Sequence, residues 1–245
     1  MKRTAVVTGA AQGIGFAIAR RLGQDGLNVA MADIKEDGIK EAAGKLTQEG
    51  IEAVPFVCDV SVPESLEKLM ADTAERFGGI DVLVNNAGII IPEEFDAITE
   101  AAWDKVLAVN LKGVYFGIKA ALPYLRKSEM PRIINMASDA GRMGSHQSPM
   151  SYVASKGGII SLTYGLARRL APEKIPINAI CPGTIESPLF ALAKPGQLDD
   201  LLSHIPMGRF GTPEDVAAGA SFLASKDAEY ITGHCLDING GKFIH

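Results

Sequence analysis

The sequence is short of the features that would place it in several large classes. It has three cysteines in 245 residues, Cys58, Cys181 and Cys235. They are far apart, stand in apolar strand-like surroundings and have no metal spacing. They read as buried thiols in a reducing compartment, which excludes a disulfide framework or a zinc site. The four histidines, His146, His204, His234 and His245, are scattered, and no metal is expected. Charge of one sign is not in excess. A net charge of -5 offers no broad attraction to nucleic acid or to an anionic membrane, and neither is an expected partner. Long apolar runs are missing: stretches such as Gly157 to Ala167 are broken by Gly, Ser and Tyr and fall short of the roughly 20 residues that cross a bilayer. Met1-Lys-Arg-Thr enters a strand without an apolar run or a small-residue cleavage site, so the expected location is the cytoplasm. No repeat, linker or low-complexity stretch divides the chain.

What is there suits one well-buried α/β core. The chain is 47% apolar and 22% charged, enough for a single domain spanning 1–245. Apolar β-rich runs alternate with longer helical patterns, the arrangement of a parallel sheet covered on both faces. The pattern predicts strands at Thr4–Thr8, Asn28–Asp33, Ala53–Asp59, Asp81–Asn85, Arg132–Ala137, Pro176–Cys181 and His234–Ile238. Helices are predicted at Ile14–Asp25, Glu36–Glu49, Pro63–Phe77, Glu100–Lys127, Tyr152–Ala171 and Pro213–Ala224. Thr212-Pro213-Glu214-Asp215 is a helix start, with Thr as cap, Pro at the first position and acids in the first turn. Residues 184–209 mix prolines with short apolar pieces and read as a lid or substrate loop within the domain.

Two motifs carry chemistry. Gly9, Gly13 and Gly15 follow the first strand and open a helix, so the backbone can turn tightly and approach a pyrophosphate at the positive end of the helix. Asp33, at the end of the second strand, would put a carboxylate on the ribose hydroxyls and repel a 2′-phosphate, which favours NAD over NADP. The second motif is Tyr152 with Lys156. Residues four apart share a helix face, and an ammonium beside a phenol favours the phenolate, moving a pKa near ~10 toward neutrality for general acid/base work.

These motifs, taken with Asp59-Val60, Asn85-Asn-Ala-Gly88, Asn110, Ser138 and Pro182-Gly183 in that order, resemble the classical short-chain dehydrogenases/reductases from Thr8 to Gly241. The resemblance implies a Rossmann-type, doubly wound sheet of seven parallel strands flanked by helices. It implies catalytic roles for Asn110, Ser138, Tyr152 and Lys156. Ser138 would hold the substrate oxygen, Asn110 would support a water chain to Lys156, and Lys156 would also hold the nicotinamide ribose. Cofactor contacts are implied for Gly9, Gln12, Gly13, Ile14, Gly15, Asp33, Asp59, Val60, Asn86, Ala87, Gly88, Tyr152, Lys156, Pro182, Gly183, Ile185 and Ser187. Gln12 stands where NADP-using relatives often carry a basic residue.

The candidate substrate contacts, Ile90, Asp139, Arg142, His146, Gln147 and Leu189, mix apolar and polar groups. They suit a small polar secondary alcohol or ketone of polyol, sugar or hydroxy-ketone type. A homotetramer is implied, built through the long fourth and fifth helices and the last strand, with small residues at Ala154, Gly157, Gly158 and Gly165. The chain also resembles the 3-oxoacyl carrier-protein reductases, down to Asn239-Gly240-Gly241. Those reductases place basic residues where this sequence has Glu129 and Glu173, a poor match for an acidic carrier.

Overall fold

In the computed structural model, which describes residues 2–92, 94–145, 148–187, 190 and 195–245, strands and helices alternate along the chain. The strands are β1 (Thr4–Thr8), β2 (Asn28–Asp33), β3 (Ala53–Val57), β4 (Val82–Asn85), β5 (Arg132–Met136), β6 (Ile177–Pro182) and β7 (Cys235–Ile238). All pair in parallel in one sheet of order β3-β2-β1-β4-β5-β6-β7. The chain starts mid-sheet, winds out to β3, crosses back to β4 and winds out to β7. That reversal beside β1 opens a crevice at the carboxyl ends of the strands, where doubly wound sheets bind ligands.

Two helical layers cover the sheet. The helices are α1 (Gly13–Gln24), α2 (Glu36–Gln48), α3 (Pro63–Phe77), α4 (Glu100–Leu107), α5 (Gly113–Leu125), α6 (Ala140–Met143), α7 (Met150–Leu170), α8 (Gln197–Ser203) and α9 (Pro213–Ala224). Alternation along each strand sorts its residues between layers. Ala5, Val7, Val29 and Met31 pack with Ile18, Leu22, Ile39 and Leu223. Val6, Ala30, Leu83 and Ile133 pack with Leu66, Ile118, Leu125 and Ile159 on the other face. Strands buried on both faces need near-continuous apolar sequence, which is what β1 and β2 have. Cys58, Cys181 and Cys235 are all buried and reduced.

Several boundaries differ from the sequence-based expectation. The third strand stops at Val57 rather than Asp59, because its last partner is Asp33 at the end of β2. The expected helix Glu100–Lys127 is one rod with a π-helical turn at Ala108–Lys112 between α4 and α5. Four short helical pieces, at Phe95–Ala97, Ala140–Met143, Ala171–Glu173 and Gln197–Ser203, lie where none was expected. The 26-residue rod Glu100–Leu125 is long and apolar enough to cross a membrane, with mean hydropathy 1.2 over an 18-residue window. Its residues Val106, Val114, Ile118, Ala121 and Leu125 are buried in the protein, however, which is the placement of a core helix.

Candidate active site

The turn between β1 and α1 is shaped by missing side chains. Gly9 has φ +65° and Gly13 φ +57°, the left-handed region where a Cβ is penalised. A Cβ on Gly15 would stand 2.1 Å from the Gly9 carbonyl oxygen, so α1 can start this close to β1 only with glycine there. The turn is riveted from β4. Asn86 Nδ2 donates to the carbonyls of Thr8 (2.8 Å) and Gly9 (3.1 Å), and the Thr8 hydroxyl accepts from the N–H groups of Asn86 (3.0 Å) and Ala87 (3.1 Å). Asn86, expected as a cofactor contact, uses its amide inside the turn and also lines a cavity beside it. Gln12 caps α1 with extended backbone and no side-chain hydrogen bond, leaving the first-turn N–H groups free of a side-chain acceptor. Free N–H groups at a positive helix end are a site for a phosphate.

Asp33 ends β2 beside this turn. Its carboxylate is fixed by the backbone, Oδ2 accepting from Ala11 N–H (3.2 Å) and Oδ1 from Lys35 N–H (3.1 Å). Asp59 Oδ1 accepts from the Ser61 N–H (2.9 Å) and hydroxyl (2.7 Å), bending the chain after β3. The Val60 carbonyl abuts Gly113, where a Cβ would lie 2.7 Å away, so the start of α5 is pressed on that bend.

The acid/base candidates come from three elements. Ser138 follows β5, accepts from the Ala140 N–H (3.1 Å) and donates to Asp139 Oδ1 (3.1 Å). Tyr152 and Lys156 lie on one face of α7, with Nζ 5.5 Å from the phenol ring centroid. Lys156 is buried and donates to the Met136 carbonyl at 2.7 Å. Burial holds its pKa down to about 8.

The Tyr152 phenol moves the other way. Burial raises its pKa, the Ser138 hydroxyl partly counters this, and the Asp139 carboxylate adds to the rise. The sequence-based expectation was a phenol lowered by Lys156. In this structure the ammonium is committed to the Met136 carbonyl, and desolvation of the phenol dominates.

Asn110 sits in the π turn, fully buried. Its Oδ1 accepts from the Ile89 N–H (2.8 Å), and its Nδ2 donates to the Ile89 carbonyl (2.9 Å) and to Ser155 Oγ (3.1 Å). It therefore ties the segment after β4 to α7. Beneath it runs a chain that the motifs did not indicate. Asn85 Nδ2 donates to Asn135 Oδ1 (2.9 Å), and Asn135 Nδ2 donates to Thr163 Oγ1 (3.0 Å). Asparagines inside otherwise apolar strands were the available signal, because buried amides must find partners.

A cavity of about 290 Å³ joins the two halves. Its walls include Ile14 and Asn86, then Gly88 and Ile90 beyond β4, then Ser138, Tyr152 and Lys156, and finally Pro182, Gly183 and Ile185 beyond β6. The Gly183 N–H is bound to the Ile238 carbonyl (2.9 Å), and Ile185 bridges to Gly211, which fixes that wall. Ser187 is half-buried just beyond.

Asp139 and Arg142, expected to touch substrate, do not line the cavity. Arg142 turns to the carboxyl-terminal tail, donating to Asp237 Oδ2 (2.8 Å) and Tyr164 Oη (3.3 Å) and meeting the His245 ring (2.8 Å). The expected substrate residues His146, Gln147 and Leu189 lie outside the described residues, as does part of the expected lid. Among the described residues, no group of three His, Cys, Asp or Glu could hold a metal ion.

A sheet crevice with a glycine turn on one side and a phenol, an ammonium and a hydroxyl on the other defines a class of dinucleotide-linked enzyme. The sequence profile of a family described as enoyl-(acyl carrier protein) reductase matches residues 9–242. An uncharacterized oxidoreductase of Mycobacterium bovis is 40% identical over 242 residues, covering 99% of this chain and 97% of the relative. A 3-oxoacyl-(acyl-carrier-protein) reductase of Staphylococcus epidermidis is 37% identical over 248 residues, covering both chains fully. The crystal structure of gox2181 superposes with a TM-score of 0.94 at 33% identity, over 98% of this chain and 95% of that one. The chain belongs to the classical short-chain dehydrogenase/reductase family and is an oxidoreductase of that family, which implies a nicotinamide cofactor.

Proposed function

We propose that this protein is an NAD(H)-dependent dehydrogenase that interconverts a small polar secondary alcohol, of polyol, sugar or hydroxy-ketone type, and its ketone. The observation that carries this reading is the convergence of Ser138, Tyr152 and Lys156 on a cavity that also reaches Ile14 of the glycine turn. In the oxidative direction Tyr152 takes the alcohol proton, Ser138 donates to the substrate oxygen, and Lys156 holds its charge beneath the pair. The bound nicotinamide supplies the hydride acceptor and, when oxidised, a positive charge. The turn fits the group: the glycines leave room for a pyrophosphate, and the Asp33 carboxylate is set to accept from ribose hydroxyls. Asp33→Ala should weaken NAD use and relax the exclusion of NADP, read from kcat/KM with each cofactor. Equal efficiency of the unaltered protein on both would count against this role.

A 3-oxoacyl-carrier reductase is the second reading, favoured by the Staphylococcus relative. Against it stands a surface ion pair. Arg126 is bound to Glu173 by two bonds, Nε–Oε2 at 2.6 Å and Nη2–Oε1 at 3.1 Å, so this guanidinium is already matched. Glu173 thus offsets one of the cations an acidic carrier could use for steering.

A homotetramer also belongs to this reading. The outer face of α4, α5 and α7 holds a hollow of about 750 Å³ lined by Leu107, Leu111, Tyr115, Phe116 and Leu162, and light scattering at monomer mass would oppose assembly there. The deciding assay sets NAD with a polyol panel against acetoacetyl carrier protein with NADPH. NADH formation from a free alcohol is expected. Efficient turnover of the acylated carrier, with no free alcohol oxidised, would reverse the assignment.

A further inference from the structure

We propose that Lys242, in the carboxyl-terminal tail, is a positioning residue for proton transfer: it neutralises the Asp139 carboxylate that lies against Ser138. This rests on the assignment of Tyr152 as the base.

Asp139 is an unusual neighbour for an acid/base site. It is buried, and its N–H is fixed to the Pro182 carbonyl at 3.0 Å. Oδ1 accepts the Ser138 hydroxyl, and Oδ2 has no aligned hydrogen-bond donor among the described residues. What stands beside Oδ2 is the Lys242 ammonium, 3.0 Å away and mostly buried. The contact is one of charge rather than of a directed bond. Lys242 Nζ also reaches the Thr184 hydroxyl at 3.5 Å, so it bridges the walls beyond β5 and β6.

The tail that carries Lys242 is held in place. Asn239 Nδ2 donates to the Phe243 carbonyl (3.1 Å), the Arg142 guanidinium lies 5.4 Å from the Phe243 ring centroid, and His245 stacks on that ring.

The charges around Tyr152 can be followed element by element. Lys156 on α7 faces the phenol ring, and Cys181 on β6 lies near Lys156. Asp139, beyond β5, opposes the phenolate. Arg142 on α6 is matched by Asp237 on β7, with His245 beside both. Lys242 is the cation paired with Asp139. Without it, an unmatched carboxylate in a dry wall would oppose the Tyr152 anion, and it would also compete more strongly for the Ser138 proton that the substrate oxygen needs. Both effects act in one direction, toward a base that works only at higher pH.

The test is a tyrosinate absorbance titration with saturating NAD, which needs no substrate. Subtracting Tyr152→Phe from the unaltered protein isolates the phenol. Lys242→Met should move that titration up by about one pH unit, the direction in which the Asp139 charge already acts on the phenol. Lys242→Arg should leave it near its original position, and Asp139→Asn with Lys242→Met should bring it back. If Lys242→Met does not fold, Asp139→Asn alone decides, since a lone Lys242 should move the titration down. A phenol that stays put in Lys242→Met or Asp139→Asn would overturn the proposal. A difference spectrum with no titrating phenol would instead overturn Tyr152 as the base.

Discussion

The turn after β1 and the cluster around Tyr152 share one edge of the sheet but are built from different materials. The turn is made of backbone and of absent side chains, with a Cβ at Gly15 excluded at 2.1 Å and its hydrogen bonds drawn from Thr8 and Asn86. The charge held beside it is Asp33, kept by two N–H groups. The Tyr152 cluster is made of side chains under electrostatic load: a buried ammonium, a desolvated phenol and a carboxylate beside the serine. A turn of this kind binds through its shape and its backbone N–H groups. The charged cluster stores unfavourable free energy in the folded state, which a functional site can hold only because the surrounding core is stable.

Separating the two regions by mutation tests that difference, and Tyr152→Phe should have the largest effect. It removes the proton carrier while leaving the turn untouched. Turnover should fall by about 10²–10⁴-fold with NADH affinity within a few-fold, measured by steady-state rates and fluorescence titration. A parallel loss of NADH binding would mean the two regions are not separable.

Lys156→Met should also remove most activity, and it should make the protein more stable at pH 7. The sign follows from the protons. The unfolded lysine keeps its proton up to the ordinary 10.5, and the folded one only to about 8. Between those values the unfolded state binds more protons, so stability rises with pH across that window and carries a penalty below it. Removing the charge relieves the penalty, offset in part by the unpaired Met136 carbonyl. A gain of about 1–2 kcal/mol, or a few degrees in Tm, is expected at pH 7, and it should vanish above pH 10. A Tm that falls at pH 7 would show that Lys156 is not under desolvation strain.

Gly15→Ala should act on the turn alone. Pushing a methyl against the Gly9 carbonyl costs about 1–3 kcal/mol and displaces the N–H groups of α1. NADH affinity should drop by about tenfold or more, while the Tyr152 titration stays where it was.

Thr212→Ala should have the smallest effect and serves as the control. Thr212 accepts from the Asp215 N–H (3.2 Å), and Asp215 answers by accepting from the Thr212 N–H (2.8 Å), closing a capping box on α9. Its loss should cost about 1 kcal/mol of stability by thermal melt, with cofactor affinity and the phenol titration unchanged.

How much of this was legible beforehand differs between the two regions. The order of strands and helices, the glycine turn, Asp33 at a strand end and the Tyr152–Lys156 spacing could be read directly. Each rests on local periodicity or on residues within a turn or two of one another. Strand ends moved where a partner strand set them, as at Val57. Arg142 was a candidate substrate contact from its place in the loop between Ser138 and Tyr152; its partners Asp237 and His245, about 100 residues away along the chain, were not legible there.

By itself, the sequence determined the α/β alternation, the family and the positions from which a cofactor and a proton could be handled, because those depend on spacing along one chain. Only the tertiary structure decided which charges meet: Lys242 with Asp139, Lys156 with the Met136 carbonyl, Asn110 with Ile89 and Ser155. The reason is physical. Desolvation and Coulomb energies depend on what surrounds a group in space, and the packing of β5, β6, α7 and the tail brings together residues that no local pattern connects.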